Sequence, residues 1–338
     1  MTVKGCAVCD HPIRSWLNTT TNQFFLPSLR DLGIDVISHV LLRAAQNKKL
    51  ENLVSGHPLT RGLVSRYVAG VTCEEAILVA RQLKGEGINV SLDLLGEQVD
   101  DLAESAAATD HYIDTVHAIA EQAPEATVSV KLSQLGIAVD PQVCAKNLNR
   151  LLEAAEEVGV VVEVDMEHSS VGRPTLETFR EALPRYPHTR VAIQAAMRRT
   201  PEDLESFTNT KPRLRLVKGA YDEPLTRALR DRKEITAQYQ HLTGWILAHC
   251  PDPAFGTHDD ACIEHVKKAA VAAGLGKDDF EFQMLYGVRR DVQRQLVRDG
   301  YRVRLYVPFG TQWYPYLMRR MAERPANLLF FLRSLVGR

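Results

Sequence analysis

The sequence has no long apolar run and almost no net charge. Its 338 residues include 41 lysines and arginines against 42 aspartates and glutamates, and 45% of them are hydrophobic. A transmembrane helix needs about 20 consecutive apolar residues, and no uninterrupted stretch reaches that length. A charge near zero argues against a nucleic-acid-binding protein, which is typically basic. What remains is an ordinary globular composition, long enough to bury a sizeable core.

Targeting signals are also missing from the first ten residues, MTVKGCAVCD. They contain neither the apolar core of a secretory signal peptide nor the Arg-rich pattern of a transit peptide. We therefore expect a cytoplasmic protein.

Cysteine is sparse, with six residues scattered along the chain. Only Cys6 and Cys9 form a Cys-x-x-Cys pair, and His11 is close to them. A structural zinc site needs four ligands, and nothing nearby in the sequence completes the set. We interpret the pair as reduced thiols and predict no bound metal.

Three signatures of nucleotide-binding and hydrolytic folds are absent. No GxGxxG follows a strand-like run, which argues against a Rossmann dinucleotide site. The sequence has no GxxxxGK[ST] phosphate loop and no GxSxG nucleophile elbow. Any dinucleotide cofactor must therefore be held in another way.

What the chain does contain is a repeated alternation of strand-like and helix-like segments. Short apolar runs separated by helical patterns predict βαβ units and a parallel sheet. Eight units close a (β/α)8 barrel, whose usual length is about 250 residues. We therefore predict an α/β fold, with a helical lead-in over residues 1–80 and a (β/α)8 TIM-like barrel over residues 81–338. The eight predicted strands are Ser91–Leu95, Thr127–Ser133, Val160–Glu167, Arg190–Ala196, Leu214–Ala220, Phe255–Asp259, Phe280–Tyr286 and Val303–Phe309.

Helix start and stop signals place the segments between the strands. Thr72 can cap a helix whose first turn carries Glu74 and Glu75, and Gly85 ends it. The other predicted helices cover Ser28–Asn47, Asp101–Ala123, Pro141–Gly159, Thr175–Leu183, Pro201–Phe207, Pro224–Cys250 and the residues after Pro325.

Polar side chains fall at the carboxyl ends of most predicted strands. Barrel enzymes have their active sites at that end, because the loops that follow the strands meet there. We expect these side chains to point into one opening, called here the barrel mouth. They are Lys131, Asp165, Gln194, Lys218, His258 and Tyr306.

The segment that follows the last strand combines aromatic residues with two adjacent arginines. On a helix, residues at i, i+3, i+4 and i+7 share one face. Guanidinium groups bind carboxylates with two parallel hydrogen bonds, so the pair predicts an anionic substrate. A solvated basic face is the alternative, and the neighbouring aromatic residues weigh against it. The residues of this face are Tyr316, Arg319, Arg320 and Glu323.

A second segment, Arg213–Tyr221, places two cations near the end of a strand. Arg215 and Lys218 could bind a phosphate or polarise an electron-rich ring, and Gly219 lets a ligand approach the backbone. Alone, the pattern does not distinguish between these two roles.

Histidines and carboxylates follow two other strands, in Asp165–His168 and Gly256–Asp260. Such residues could bind a divalent metal in a metal-dependent barrel hydrolase. Those barrels commonly supply a His-x-His pair from an early strand, and this sequence has none. The metal-dependent hydrolase is therefore the minor alternative.

Taken together and in order, six segments resemble motifs of the proline dehydrogenase family. The resemblance extends from about Arg66 to the end of the chain. It implies a distorted (β/α)8 barrel that binds FAD without a covalent bond. It also implies oxidation of L-proline to Δ1-pyrroline-5-carboxylate, with electrons passed to a membrane quinone, which allows a peripheral contact with the inner face of the membrane. The six segments are VSVKLSQLG, VEVDMEHS, RLVKGAY, GTHD, FEFQMLYG and YVPFG…WYPYLMRRMAERPAN.

The resemblance also implies roles for individual residues toward the substrate. Arg319 and Arg320 would bind the proline carboxylate with help from Lys131, and Glu323 would pair with Arg319. Asp165 would lie near the amine and order the pocket. The residues that would pack around the proline ring are Tyr221, Leu285, Tyr306 and Tyr316.

A further set of residues would hold the cofactor. Arg215 would lie near the flavin N5 and tune the flavin, and Gln194 would lie near its pyrimidine edge. Gly256 and Asp259 depart from the commoner Ala-Thr-His-Asn form of this motif. The residues that would line the rest of the FAD are Met166, Lys218, Gly219, Ala220, Thr257 and His258.

Other functions stay open at this point. A dehydrogenase for hydroxyproline or another cyclic amino acid would use the same chemistry, although Tyr306 would crowd a 4-hydroxyl group. A barrel without flavin that acts only as a binding module, and the metal-dependent hydrolase, belong to different classes.

Overall fold

The structure is a computed structural model, and it describes residues 58–96 and 98–323. The pair Cys6 and Cys9, the predicted helix Ser28–Asn47 and the predicted helix after Pro325 lie outside these residues. The proposed division of the chain at residue 80 stays a prediction.

Eight parallel strands close into a barrel in the order in which they occur along the chain. The predicted (β/α)8 fold is therefore confirmed. Every strand pairs with its two sequence neighbours, and β8 closes the barrel against β1 over six residue pairs, from Asn89 with Arg304 to Leu94 with Phe309. The strands are β1 (Asn89–Leu94), β2 (Thr127–Val130), β3 (Val162–Val164), β4 (Arg190–Gln194), β5 (Arg213–Val217), β6 (Ala254–Gly256), β7 (Glu281–Leu285) and β8 (Arg302–Phe309).

Helices precede and follow the strands, and their amphipathic faces cover the outside of the barrel. The helices in the described ranges are α1 (Pro58–Tyr67), α2 (Cys73–Gly85), α3 (Leu102–Gln122), α4 (Pro141–Val158), α5 (Ser169–Ala182), α6 (Thr200–Glu205), α7 (Arg232–His249), α8 (Asp260–Ala272), α9 (Arg290–Arg298) and α10 (Trp313–Glu323). None of the described helices is long and apolar enough to cross a membrane.

Local capping chemistry explains several helix ends. The Thr72 side chain accepts a hydrogen bond from the Glu75 backbone N–H, and the Glu75 carboxylate accepts from the Thr72 N–H, so α2 begins with a capping box. Asp101 caps α3 in a similar way, and Gly159 ends α4 at φ 75°. These three ends agree with the signals in the sequence.

Two helices begin far from their predicted first residue. Helix α5 begins at Ser169 instead of Thr175, and it accommodates Pro174 in its interior. Helix α7 begins at Arg232 instead of Pro224. The residues before it form turns that pair with the loop after β4, where the Leu229 N–H donates to the Ala196 carbonyl at 2.8 Å.

The barrel interior is polar, whereas the core between the strands and the helices is apolar. Alternate strand residues point outward, as Val128, Val130, Val162 and Val164 do, and these are at most 2% exposed. Barrel interiors are usually filled by Val, Ile and Leu. Here the inward positions carry a buried set of charged and amide side chains, called the ionic layer, which comprises Glu163, Arg190, Glu281, Gln283 and Arg304.

Candidate active site

Five polar side chains meet at the carboxyl end of the barrel, and we call them the mouth cluster. Asp93 lies on β1, and Tyr306 lies on β8. Lys131 and Asp165 are the first residues after β2 and β3, and Arg215 lies on β5. Because the strands are parallel and the barrel is closed, residues far apart in sequence reach one another here.

Asp165 is the central acceptor of the mouth cluster. Its Oδ2 accepts the Tyr306 hydroxyl at 2.6 Å and lies 3.2 Å from Lys131 Nζ. Its Oδ1 accepts a hydrogen bond from Arg215. Burial opposes ionisation, but the charges of Lys131 and Arg215 outweigh it, so the pKa of Asp165 is lowered. Asp165 is therefore an ionised, fully engaged carboxylate.

Lys131 bridges the two sides of the mouth cluster. Its ammonium group donates to Asp93 Oδ1 and to the Tyr306 hydroxyl, the latter at 2.9 Å, and it also faces Asp165. An ammonium group has three donors. All three are directed at the mouth cluster, so a substrate carboxylate would have to replace one of these partners.

Asp93 is the most deeply buried acid of the mouth cluster, at 1% exposure. Its Oδ2 has no hydrogen-bond partner among the described residues. Burial raises the pKa of Asp93, Lys131 opposes that effect, and the nearby Asp165 adds to it. The two acids on either side of Lys131 therefore have pKa values shifted in opposite directions.

Arg215 connects the mouth cluster with the ionic layer below it. One end of its guanidinium group pairs with Asp165, and the other lies 3.2 Å from Glu163 Oε2 and 3.2 Å from Gln283 Oε1. The third donor, Nε, is buried and has no acceptor among the described residues. A cation fixed at the mouth suits an electron-rich ring such as a flavin.

The ionic layer neutralises its own charges. Glu163 accepts hydrogen bonds from Thr127 at 2.9 Å and from Arg190 at 3.2 Å. Arg304 pairs with Glu281 at 2.9 Å. Burial opposes ionisation of Glu163, but the charges of Arg190, Arg215 and Arg304 lower its pKa to about 2. Glu163 is thus an anion at any ordinary pH.

The predicted cofactor residues after β5 and β6 form a second polar group beside the mouth cluster. Lys218 Nζ donates to Thr236 at 2.7 Å and to Asp259 at 2.8 Å. Thr257 is buried, and its hydroxyl accepts from the Asp259 N–H at 3.1 Å. The His258 Nε2 accepts from the Leu285 backbone N–H at 2.9 Å, which fixes the ring. These residues are near one another, but each already has a protein partner.

The predicted cofactor residues after β3 and β4 also contact one another. Gln194 donates to the Met166 carbonyl at 3.0 Å. Both residues line a cavity of about 650 Å³ between α5, the end of β4 and the loops that follow β3 and β4. Gly219, next to the exposed Ala220, has φ 107°, and a Cβ there would lie 3.1 Å from the Cβ of Ala196. A glycine at this position therefore keeps the backbone close to the end of β4.

The four residues predicted on one helical face lie on α10 but in different environments. Tyr316 is buried, Arg320 lies over its ring at 5.2 Å, and Arg319 is exposed. Arg319 forms no hydrogen bond or ion pair with the side chains that the structure describes. Glu323 is the last residue of α10, and its side chain is not among them, so its pairing with Arg319 stays a prediction.

Tyr221 and Leu285 lie at the rim of the mouth. Leu285 ends β7 and is half-buried, whereas Tyr221 is 44% exposed. Desolvation raises the pKa of Tyr221, and the charges of Lys131, Asp165 and Arg319 act on the same hydroxyl. Tyr221 therefore lies between the mouth cluster and α10.

The described residues do not form a cluster of side chains that could bind a metal ion. Within residues 58–96 and 98–323, no group of three or more His, Cys, Asp or Glu side chains has the arrangement to hold a metal ion. His168 instead caps α5 through its Nδ1, which accepts from the Ser170 N–H at 3.3 Å.

Comparison with known proteins gives the family. The family model described as "Proline dehydrogenase" matches residues 76–333 of this chain. The chain belongs to the proline dehydrogenase family. A family member from Deinococcus radiodurans, "Proline dehydrogenase", is 38% identical over 279 residues, which is 81% of this chain and 90% of that protein. "Proline dehydrogenase 2" of Bacillus subtilis is 35% identical over 276 residues, covering 82% of this chain and 91% of that protein.

A solved structure of a larger relative has a similar fold. The structure is proline utilization A (PutA) from Bdellovibrio bacteriovorus inactivated by N-propargylglycine, with a TM-score of 0.72 and 26% sequence identity. The match covers 79% of this chain but only 33% of that one, so this chain spans about a third of the larger protein. The family resemblance and the barrel fold predicted from the sequence are both confirmed.

Sequence reasoning missed one acid of the mouth cluster and the whole ionic layer. Asp93 lies within β1, where none of the sequence motifs marks it. A signal was nevertheless present, since charged residues alternate with apolar ones in Glu163-x-Asp165, Arg213-x-Arg215 and Arg302-x-Arg304. In a strand, such alternation puts the charges on one face.

Proposed function

We propose that the protein is an FAD-dependent proline dehydrogenase that oxidises L-proline to Δ1-pyrroline-5-carboxylate and passes the electrons to a quinone. Membership of the family supports the reaction. The observation that supports a flavin cofactor is the Arg215 guanidinium group, which Asp165 and Glu163 hold rigidly at the barrel mouth.

The carboxylate of the substrate would be bound from α10. Arg319 has no partner among the described side chains, so its guanidinium group can accept a carboxylate without breaking an ion pair. Arg320 and Lys131 would assist, and Glu323 would orient Arg319. Lys131 contributes chiefly its charge, because its three donors already face the mouth cluster.

The amine of the substrate would lie near Asp165. The amine must be neutral for a hydride to leave the adjacent ring carbon, since its lone pair assists that step. A carboxylate with a lowered pKa is a weak base. Asp165 therefore orients the amine, and solvent takes the proton.

The cofactor would be held by residues that follow β3 to β6. Bound FAD would supply the acceptor for the hydride, which carries the two electrons that leave proline. Arg215 would stabilise the negative charge of the reduced form through its fixed guanidinium group. The other residues proposed to contact FAD are Met166, Gln194, Lys218, Gly219, Ala220, Thr257 and His258.

The proline ring would be enclosed by four side chains on three sides of the mouth. Tyr306 supplies a wall whose hydroxyl is fixed by Lys131 and Asp165. Leu285, Tyr221 and Tyr316 would close the rest and exclude water. A wall at Tyr306 disfavours hydroxyproline, which remains the second candidate substrate.

The proposed electron acceptor also suggests where the protein works. Respiratory quinones reside in the membrane, so we propose a cytoplasmic protein that contacts the inner face of the membrane peripherally.

An absorbance experiment tests the proposed function. The purified protein should be yellow with flavin absorbance bands, and L-proline added without oxygen should bleach them. A quinone analogue should then restore the colour, and hydroxyproline should bleach more slowly than proline. A colourless protein, or flavin bands that proline leaves unchanged, would show that the proposal is wrong.

A further inference from the structure

Arg215 is held from two sides by acids. Asp165 pairs with its upper end at the mouth, and Glu163 lies 3.2 Å from its lower end. Gln283 accepts from the same lower nitrogen at 3.2 Å and donates to Glu163 at 3.0 Å. The guanidinium group therefore cannot tilt without breaking a buried contact, and its remaining donor, Nε, keeps one direction.

Glu163 is placed to act on Arg215 without reaching the mouth itself. It is 0% exposed and lies one layer below Asp165 on β3. Its other oxygen is occupied by Thr127 and Arg190. Any influence of Glu163 on a ligand in the mouth therefore passes through Arg215 or through the electric field of the barrel interior, where charges are poorly screened.

We propose that Glu163 is a positioning residue that fixes the Arg215 guanidinium group and offsets part of its positive charge, and so limits how strongly Arg215 favours the reduced flavin. This inference rests on the proposed FAD site. Arg215 alone would raise the reduction potential of a nearby flavin, because the reduced form gains negative charge. An anion 3.2 Å from the same guanidinium group works in the opposite direction.

Two substitutions that do not touch the mouth should shift the flavin potential in opposite directions. Glu163→Gln keeps an acceptor beside Arg215 but removes the negative charge, so the potential should become more positive than in the wild type. Arg190→Gln removes a cation that pairs with Glu163. Without that cation, less of the negative charge of Glu163 is neutralised, so the flavin potential should become more negative. Spectroelectrochemical titration of the holoenzyme measures both.

A third substitution tests whether Glu163 acts through Arg215. In an Arg215→Leu background, Glu163→Gln should shift the potential less than it does in the wild type. Glu281→Gln is the matched control, since Glu281 is equally buried and pairs with Arg304 instead of Arg215. Its shift should be smaller than that of Glu163→Gln.

The outcomes separate the inference from the proposed function. The role of Glu163 would be overturned if Glu163→Gln shifted the flavin potential equally with and without Arg215. It would also be overturned if Glu163→Gln and Arg190→Gln shifted the potential in the same direction. In either case, a flavin that proline reduces would still support the proposed function. A wild-type protein without flavin would overturn both. If Glu163→Gln does not fold, Arg190→Gln is compared with and without Arg215, and equal shifts would overturn the role of Glu163.

Discussion

At the barrel mouth, two carboxylates face one lysine, and their surroundings shift the pKa values of the two groups in opposite directions. Asp165 has two cations and a hydroxyl as partners, and its pKa is lowered. Asp93 has one cation and a second oxygen without a partner among the described residues, and its pKa is raised. Burial and neighbours thus shift the pKa values of two aspartates in opposite directions. Asp165 is therefore the better candidate for orienting the substrate amine.

Arg319 should matter for substrate binding and little for the fold. Charge-assisted hydrogen bonds contribute about 1.5–3 kcal/mol each. Arg319→Met should therefore raise KM for proline by roughly tenfold or more, with the flavin content retained. Arg294→Met, another exposed arginine, which pairs with Glu86 on the outside of the barrel, is the control. An unchanged KM in Arg319→Met would remove Arg319 from the substrate site.

The Tyr306 hydroxyl forms hydrogen bonds and its ring would pack against the substrate, and two substitutions separate these roles. Tyr306→Phe removes the hydroxyl that joins Lys131 and Asp165 but keeps the ring. It should lower kcat/KM for proline and hydroxyproline alike. Tyr306→Ser also removes the ring, so the ratio of kcat/KM for proline over hydroxyproline should fall, because proline loses its packing surface. A preserved ratio together with a large drop in melting temperature would show that Tyr306 is purely structural.

The sequence predicts most residues of the mouth cluster, including Arg215 and Tyr306 inside strands, but it does not predict Asp93 or the ionic layer. Lys131 and Asp165 were accessible because polar residues directly after a buried strand must lie at its carboxyl end. Asp93 and Glu163 have their roles only because barrel closure brings β1, β3 and β5 together. Partner choice across a barrel depends on its register, which local patterns do not encode.

At the scale of elements, all the predicted strands except the last run past their observed carboxyl ends. The run Val160–Glu167 contains a strand of three residues, Val162–Val164. Asp165 still donates its backbone N–H to the Val130 carbonyl at 2.9 Å, so the extended pairing ends gradually. The residues predicted beyond the end of β3 are Asp165, Met166 and Glu167, which lie at the mouth end of the barrel. Capping signals were more reliable, as at Thr72 and Gly159.

The turn after β7 depends on a glycine that contacts α1. Gly287 has φ 76°, and a Cβ there would lie 1.9 Å from the Arg66 backbone carbonyl oxygen. A backbone carbonyl cannot move aside as a side chain can. Gly287→Ala should therefore cost about 1–3 kcal/mol in the free energy of unfolding, from backbone strain and this clash together.

Gly274→Ala is the matched control for this turn. Gly274 has φ 74°, and a Cβ there would meet nothing within 4 Å. It shares the backbone strain but not the clash, so it should lose less stability than Gly287→Ala in urea unfolding. Equal losses of unfolding free energy in the two variants would mean that α1 and the turn can move apart at little cost.

At the scale of the whole molecule, a chain with almost no net charge concentrates opposite charges inside its barrel. Breaking one partner of a buried pair is costly, whereas a well-paired set adds little net stability over apolar side chains. The ionic layer is therefore better understood as a device that fixes Arg215 and the mouth cluster than as a source of stability. The free energy of unfolding should therefore decrease when the acids of the ionic layer are protonated.

Acid should destabilise the barrel through the ionic layer. The folded-state pKa of Glu163, about 2, is lower than the unfolded value near 4.3. Its stabilising contribution is therefore complete above the unfolded pKa and is lost as the pH falls from about 5 through 2. A shift of this size corresponds to about 3 kcal/mol.

Urea unfolding followed by circular dichroism at several pH values measures this loss. Glu163→Gln should be less stable than the wild type at pH 7, because it leaves buried arginines uncompensated. Its stability should then fall with acid by about 3 kcal/mol less than that of the wild type, since the titrating group is gone.

Asp165 and Asp252, whose pKa values are also lowered, should supply the remaining pH dependence. The surface variant Glu153→Gln should follow the wild type, because its pair with Arg185 is exposed to solvent. Parallel curves for Glu163→Gln and the wild type would mean that Glu163 is not the anion on which the acid stability of the barrel depends.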